Sequence, residues 1–148
     1  MTQEFTHNTS LCDILNIRYP IIMAPMFLIS NADMLIEAIN SGITGCVPAH
    51  NYRTDSQFRN AIEMIRKKAN GPIGVNLIVN KSNIKFKQQL KSCLELKIDY
   101  IITSLGSPEK TINACKPLGI KVFCDVIDVK YALKVQDLGC DAIIAVNK

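Results

Sequence analysis

The chain has 148 residues, 48% of them hydrophobic and 20% charged, with a formal net charge of +4. That length and apolar content suit one globular core and argue against disorder. No apolar run reaches the roughly 18 residues a membrane-crossing helix needs, and the polar start from Met1 to Ser10, expected to be poorly ordered, lacks the apolar stretch of a secretory signal; a cytoplasmic location is the default.

In chain order, short apolar runs bounded by turn residues predict strands over 21–26, 43–47, 73–79, 100–104, 121–126 and 142–146. Between them, apolar residues at three- and four-residue spacing predict helices over 31–39, with Ser30 or Asn31 as cap, then 54–69, 82–96, 107–115 and 128–138. In the third of these helices Ile84, Leu90 and Leu94 can face inward while Lys81, Lys85, Lys87 and Lys91 stay solvated. These lysines belong to the 59–97 stretch, which holds nine basic and two acidic residues; without interleaved aromatics it reads as a solvated face and not as a nucleic-acid surface. The six cysteines, Cys12, Cys46, Cys93, Cys115, Cys124 and Cys140, are scattered with no C-x-x-C pair and read as reduced thiols, not as a metal site.

The connections between elements are of two kinds. Helix-to-strand junctions carry stops such as Ser41-Gly42, Asn70-Gly71-Pro72, Lys97-Ile98-Asp99, Pro117-Leu118-Gly119 and Gly139-Cys140-Asp141. Strand-to-helix junctions instead carry polar groups: His50-Asn51-Tyr52-Arg53, Asn76 with Asn80, Thr103-Ser104, and Asp125 with Asp128. In parallel α/β proteins ligands sit at this second set, outside the carboxyl ends of the strands.

Strict β-α alternation restricts the fold to a doubly wound sheet or a (β/α)8 barrel. The turn after the first strand reads Ala24-Pro25-Met26-Phe27-Leu28-Ile29, without the glycines of a dinucleotide-binding fingerprint, and this favours the parallel α/β barrel. Six strands fall short of the eight that close such a barrel, so the chain is expected to be the N-terminal part, 1–148, of a single barrel domain.

The succession LCDILNIRYPIIMAPM, HNYRT, GPIGVNLIVN, YIITSLGSP, IKVFCDV and ALKVQDLGCDAIIAVN resembles the FMN-dependent nitronate monooxygenase family (2-nitropropane dioxygenases) and is similar to the related flavin-dependent enoyl-acyl-carrier-protein reductases. The resemblance is collinear from about Leu11 onward. It implies a TIM barrel, an FMN cofactor and a small-molecule substrate, with Ala24, Pro25 and Met26 along the flavin ring and Asn76 beside the ring or its ribityl chain. Core filling by Met26 and a hydrogen bond from the Asn76 side-chain amide to a neighbouring loop are the structural alternatives.

Thr103 and Ser104 can contact the flavin, face the substrate or cap the next helix, although Ser107-Pro108 already reads as cap and first turn. Asp125 is a further flavin-side candidate whose alternative is a bond to an adjacent loop. His50, in a loop with no orienting carboxylate nearby, reads as rim or solvated, and no catalytic residue is assigned. Family members carry an assisting histidine and the FMN phosphate site beyond the sixth strand, so this chain is expected to bind FMN weakly and turn over poorly. Its open edges are expected to seek a homo-oligomer or the remaining barrel portion. The alternatives are an enoyl-reductase-like enzyme or a non-catalytic barrel fragment. A lysine Schiff-base aldolase is disfavoured, because Lys148 is the one lysine near the carboxyl end of a predicted strand.

Overall fold

The structure, a computed structural model, describes residues 11–146. The N-terminal segment read as poorly ordered, residues 1–10, and Lys148 lie outside the described residues. Six strands, β1 (Ile22–Met23), β2 (Thr44–Pro48), β3 (Ile73–Ile78), β4 (Tyr100–Ser104), β5 (Lys121–Val126) and β6 (Ala142–Ala145), form one sheet in the order β1-β2-β3-β4-β5-β6. Every neighbouring pair is parallel. A doubly wound sheet would reverse its strand order partway, whereas monotonic order is the signature of a barrel wall. The chain is six strands of a (β/α)8-type barrel.

Helices α1 (Leu11–Leu15), α2 (Ala32–Asn40), α3 (Asp55–Lys68), α4 (Phe86–Glu95), α5 (Glu109–Cys115) and α6 (Val129–Asp137) complete the element set, with short 3-10 turns at Ala49–Asn51 and Lys116–Leu118. Three begin at side-chain caps. The Asn31 carboxamide accepts from the Met34 N–H, the Asp128 carboxylate from the Tyr131 N–H, and Thr54 forms a capping box with Gln57.

Two helices start later than their periodicity predicts. Before α4, Asn80 Oδ1 accepts from the Ser82 N–H (2.9 Å), and Asn83 Oδ1 accepts from the Lys85 N–H (3.1 Å). These local Asx bonds compete with helix hydrogen bonds and hold 80–85 as turns. Ile84 consequently lies outside α4 and is 93% exposed, not inward-facing. Before α5, Ser107 makes no capping bond, because the cap position falls on Pro108. Strand β1 is likewise shorter than expected: flanking Pro20 and Pro25 have no N–H to give a ladder, and pairing is confined to Ile22 and Met23.

Alternation along the strands separates two apolar layers. The outer layer packs Val47, Val75, Leu77, Ile101, Val122 and Cys124 against Leu35, Ile39, Phe58, Ile62 and Ile65 of α2 and α3, and against Cys93 and Ile112 of α4 and α5. Burying each large aliphatic contributes about 1.5–3 kcal/mol. The inner layer holds Cys46, Tyr100, Ile102 and Phe123 with Leu15 and Ile17, so α1 and the residues after it plug the amino-terminal end of the barrel.

Tyr100 stacks on Phe123 at 5.3 Å between ring centroids, and its hydroxyl donates to Gly45 O (2.7 Å). Gly74 is required beside it, since a Cβ there would lie 2.3 Å from Tyr100 Cζ. At this same end Asp99 Oδ2 accepts from the Ile73 N–H (2.9 Å) and Asp141 Oδ2 from the Val122 N–H (2.8 Å), fixing the starts of β3 and β5.

Candidate functional site

At the carboxyl ends of the strands the inner face turns polar. Cys46, Asn76, Ser104 and Asp125 share the inward parity of Tyr100, Ile102 and Phe123. Asn76 Nδ2 donates to Ile102 O (3.0 Å) and to Ser104 Oγ (2.8 Å), and Ser104 Oγ donates to Asp125 Oδ2 (2.5 Å). The line therefore runs across β3, β4 and β5 with a fixed direction. Because the Ile102 carbonyl can only accept, the orientation of the Asn76 amide is set, and Oδ1 is its free end. Among the described residues neither Asn76 Oδ1 nor Asp125 Oδ1 receives a protein hydrogen bond.

The electrostatics follow from this packing. Burial pushes the Asp125 carboxyl above the usual carboxylate range, while the Ser104 hydroxyl, hydrogen-bonding its charged form, pulls the other way. Cys46, fully buried on the same face, has its thiol driven far up by desolvation and by the Asp125 charge, which keeps it protonated and unreactive.

The segment after β1 is the second component. Ser30, fully buried, donates through Oγ to Ala24 O (2.6 Å) and accepts from the Met26 N–H (2.9 Å). Asn51 ties the other side, accepting at Oδ1 from the Leu28 N–H (2.8 Å) and donating through Nδ2 to Ser30 O (2.8 Å). These bonds hold Leu28 in the left-handed region (φ 61°), a conformation unfavourable for a branched residue, and leave Met26, Phe27, Leu28 and Ile29 exposed. Ala24 and Pro25 thus sit in a pinned turn, with the Met26 amide already engaged.

Asn76, Ser104 and Asp125 are brought together, and Ala24, Pro25 and Met26 follow β1 at the same end of the sheet. Thr103 stands apart. It faces the helix layer, is 3% exposed, and donates to Phe123 O (3.3 Å). His50 is exposed in the 3-10 turn after β2. Sequence reasoning assigned Ser30 to capping and gave Asn51 no specific partner; the signal for both was a short run of exposed-type apolar residues, 26–29, that needs polar anchors to keep its shape. A separate groove of about 780 Å³ lies between the β3–α4 and β4–α5 loops, lined by Val79, Asn80, Lys81, Ile84, Gly106 and Lys110, and none of the inward-facing polar residues borders it.

No protein-family model matches the chain. It is 26% identical to a probable nitronate monooxygenase of Staphylococcus haemolyticus over 94% of its own length and 48% of that protein. Among solved structures, FabK from Thermotoga maritima superposes with a TM-score of 0.85 at 29% identity, covering 95% of this chain and 44% of that one. Nitroalkane oxidase from Streptomyces ansochromogenes superposes with a TM-score of 0.81 at 18% identity, over 93% of this chain and 48% of that one, a likeness of fold. The chain thus resembles the flavin-dependent barrel oxidoreductases of the nitronate monooxygenase and FabK type. It spans about half the length of the relatives it matches.

Among the described residues no helix is long and apolar enough to cross a membrane, and no cluster of histidine, cysteine and carboxylate side chains has the makings of a metal site.

Proposed function

We propose that this chain supplies the first six strands and the ring-facing half of an FMN site in an oxidoreductase that oxidises alkyl nitronates with dioxygen, within a single barrel domain. The observation that carries this reading is the directed line Asn76–Ser104–Asp125 at the strand ends, at the same end of the sheet as the pinned turn after β1. These residues fit a flavin. Ala24, Pro25 and Met26 offer small and soft apolar contact for a flat ring, and Asn76 Oδ1 is an acceptor with no protein partner among the described residues, suited to a ring N–H. Asn76 would orient the ring edge, Ser104 would fix both neighbours in their hydrogen-bonding roles, and Thr103 would support the wall from behind. When bound, FMN supplies the capacity to accept an electron pair and pass it to dioxygen.

A small-molecule substrate is in keeping with these relatives, and an association that covers the exposed edge residues at α6 and β6, Val129, Leu133 and Ile143, belongs to the same reading. An enoyl-reductase-like activity is the second reading, favoured by the 29% identity to FabK.

The test is a titration of FMN into the chain, read by ring fluorescence, followed by oxygen uptake with a nitronate and by reduction of an enoyl thioester with a nicotinamide donor. Weak but saturable quenching with slow nitronate-dependent uptake is expected of half a site, both rising when the chain is extended to a full barrel. Absence of saturable FMN binding overturns the flavin reading, and thioester reduction without nitronate-dependent uptake transfers the assignment to the second.

A further inference from the structure

Between the loop after β2 and the start of α4 lies a cavity of about 190 Å³, walled by Ala49, Tyr52, Phe58 and Gln89 and flanked by the exposed Arg53 and Lys85. It shares no lining residue with the Asn76–Ser104–Asp125 line or with the turn after β1. A chain of hydrogen bonds fixes which groups face it. Asn83 Oδ1 accepts from the Lys85 N–H (3.1 Å), while Asn83 Nδ2 donates to Ile78 O (2.8 Å) and to Gln89 Oε1 (3.0 Å). Both ends of Asn83 are thereby assigned, and with them the Gln89 carboxamide: Oε1 is its bound end and Nε2 its free one. Gln89 is only 7% exposed, yet Nε2 has no protein partner among the described residues. Nor is that donor sealed in protein, because the enclosed, unpaired side-chain atom of the described residues is Thr111 Oγ1. A nearly buried amide without an acceptor is costly to keep, and this one opens on the cavity.

Tyr52 repeats the pattern. Its ring packs on Phe58 at 5.5 Å between centroids, and its hydroxyl has no protein partner among the described residues. Burial raises the pKa of that phenol, which keeps it a neutral O–H donor. The charges at the cavity agree in sign. Lys85 Nζ donates one hydrogen bond, to Arg53 O (2.9 Å), and keeps two N–H groups over. Asp55, the acid in the lining, is committed at both oxygens, to Ser92 Oγ and to Arg59 Nε. Donors and positive charge are therefore left over beside an aromatic wall, the complement of an anion with an apolar body. We propose that this cavity is a second ligand site, for a small carboxylate with a flat apolar body. The carboxylate accepts from Gln89 Nε2 and the Tyr52 hydroxyl with Lys85 beside it, and the body lies against Ala49 and Phe58. The site lies outside the barrel and does not depend on the flavin reading. A cavity of roughly 150 Å³ holds a benzene ring, so a molecule of benzoate size suits this one.

The probe is benzoate, titrated into the full, isotopically labelled chain and followed by proton–nitrogen correlation NMR, with benzyl alcohol as the neutral comparison. Saturable shifts at millimolar benzoate are expected, largest at the Gln89 side-chain amide and at the backbone amides of Ala49, Tyr52 and Arg53, with benzyl alcohol about tenfold weaker or more. Gln89→Leu and Tyr52→Phe, each checked for cooperative urea unfolding, should each weaken benzoate by about tenfold or more, as expected for loss of a hydrogen bond to a charged group. Tyr52→Phe keeps the ring and the cavity wall, so it decides the matter if Gln89→Leu does not fold. Absence of saturable shifts, shifts centred on Asn76 and Ser104 instead, equal binding of benzyl alcohol, or native benzoate affinity in Tyr52→Phe each overturns the proposal. FMN binding is read in its own titration, so failure of the flavin reading leaves this site standing, and failure of this site leaves the flavin reading standing.

Discussion

The two ends of the same strands solve different problems with the same alternation. At the amino ends, polar groups are spent on structure: Asp99 and Asp141 each secure the first amide of a neighbouring strand, Thr44 Oγ1 donates to Pro72 O (2.7 Å), and the Tyr100 hydroxyl is held by Gly45 O. The space between is filled by Tyr100, Phe123, Leu15 and Ile17. At the carboxyl ends the inward positions carry Asn76, Ser104 and Asp125, which satisfy one another partly and leave acceptor oxygens over. Strand β5 passes from one regime to the other between Phe123 and Asp125, a single inward step. Incomplete mutual satisfaction at one end, beside close packing at the other, is the contrast on which the proposed ligand site rests.

The comparison breaks most visibly at Phe123. Phe123→Ala removes the ring that stacks on Tyr100 and is 1% exposed, so stability to urea should fall by about 3–5 kcal/mol. A loss below about 1 kcal/mol would mean that the amino end is not a packed plug and that the contrast between the two ends is overstated.

Asn76 probes the other end at intermediate cost. Asn76→Ala takes the donor from Ile102 O and Ser104 Oγ in a place only 7% exposed, with an expected stability loss of about 1–3 kcal/mol. It should also weaken FMN binding by roughly tenfold, about 1.4 kcal/mol, through the missing Oδ1 acceptor. Thr103→Val removes a hydroxyl of similar burial on the opposite face and should leave FMN affinity unchanged. Equal effects of the two on FMN affinity would erase the distinction between inner and outer faces.

Much of this was legible in the sequence, for identifiable reasons. Strands β4 and β5 coincide with their apolar runs because each run is bounded by Gly or Asp connectors on one side and by polar strand ends on the other. The structural reading of the helix-to-strand junctions agrees with Asp99 and Asp141, which bind backbone at one end, and the polar residues of the other junctions, Asn76, Ser104 and Asp125, meet at the opposite end. What escaped were effects that depend on non-local partners. The five-residue α1 is too short to show periodicity and owes its stability to plugging the barrel. Ile84 fits a helical stripe, yet Asn80 and Asn83 bind nearby backbone and keep it outside the helix. Thr103 and Ser104 look equivalent as a dipeptide, and the register with β5, Thr103 opposite Cys124, sends them to opposite faces.

The smallest expected effect compares two carboxylates with opposite shifts. Burial raises the Asp125 carboxyl above its unfolded value, so its term favours the native state most fully below the unfolded pKa and is lost as pH rises through the folded one. Asp55 on α3 is the reverse. The Ser92 hydroxyl, followed by the Arg59 guanidinium, lowers its pKa, so its contribution is present above the unfolded value and lost as pH falls through the folded one. Urea midpoints across acid to neutral pH should therefore show Asp125→Asn gaining on the native chain as pH rises, and Asp55→Asn losing ground over the same change. Because Asp55 is about a third exposed, its effect will shrink in high salt, whereas the half-buried Asp125 will respond less. Slopes of the same sign for the two variants would show that folding lowers the Asp125 carboxyl as it lowers Asp55, so that hydrogen bonding and not burial governs the open end.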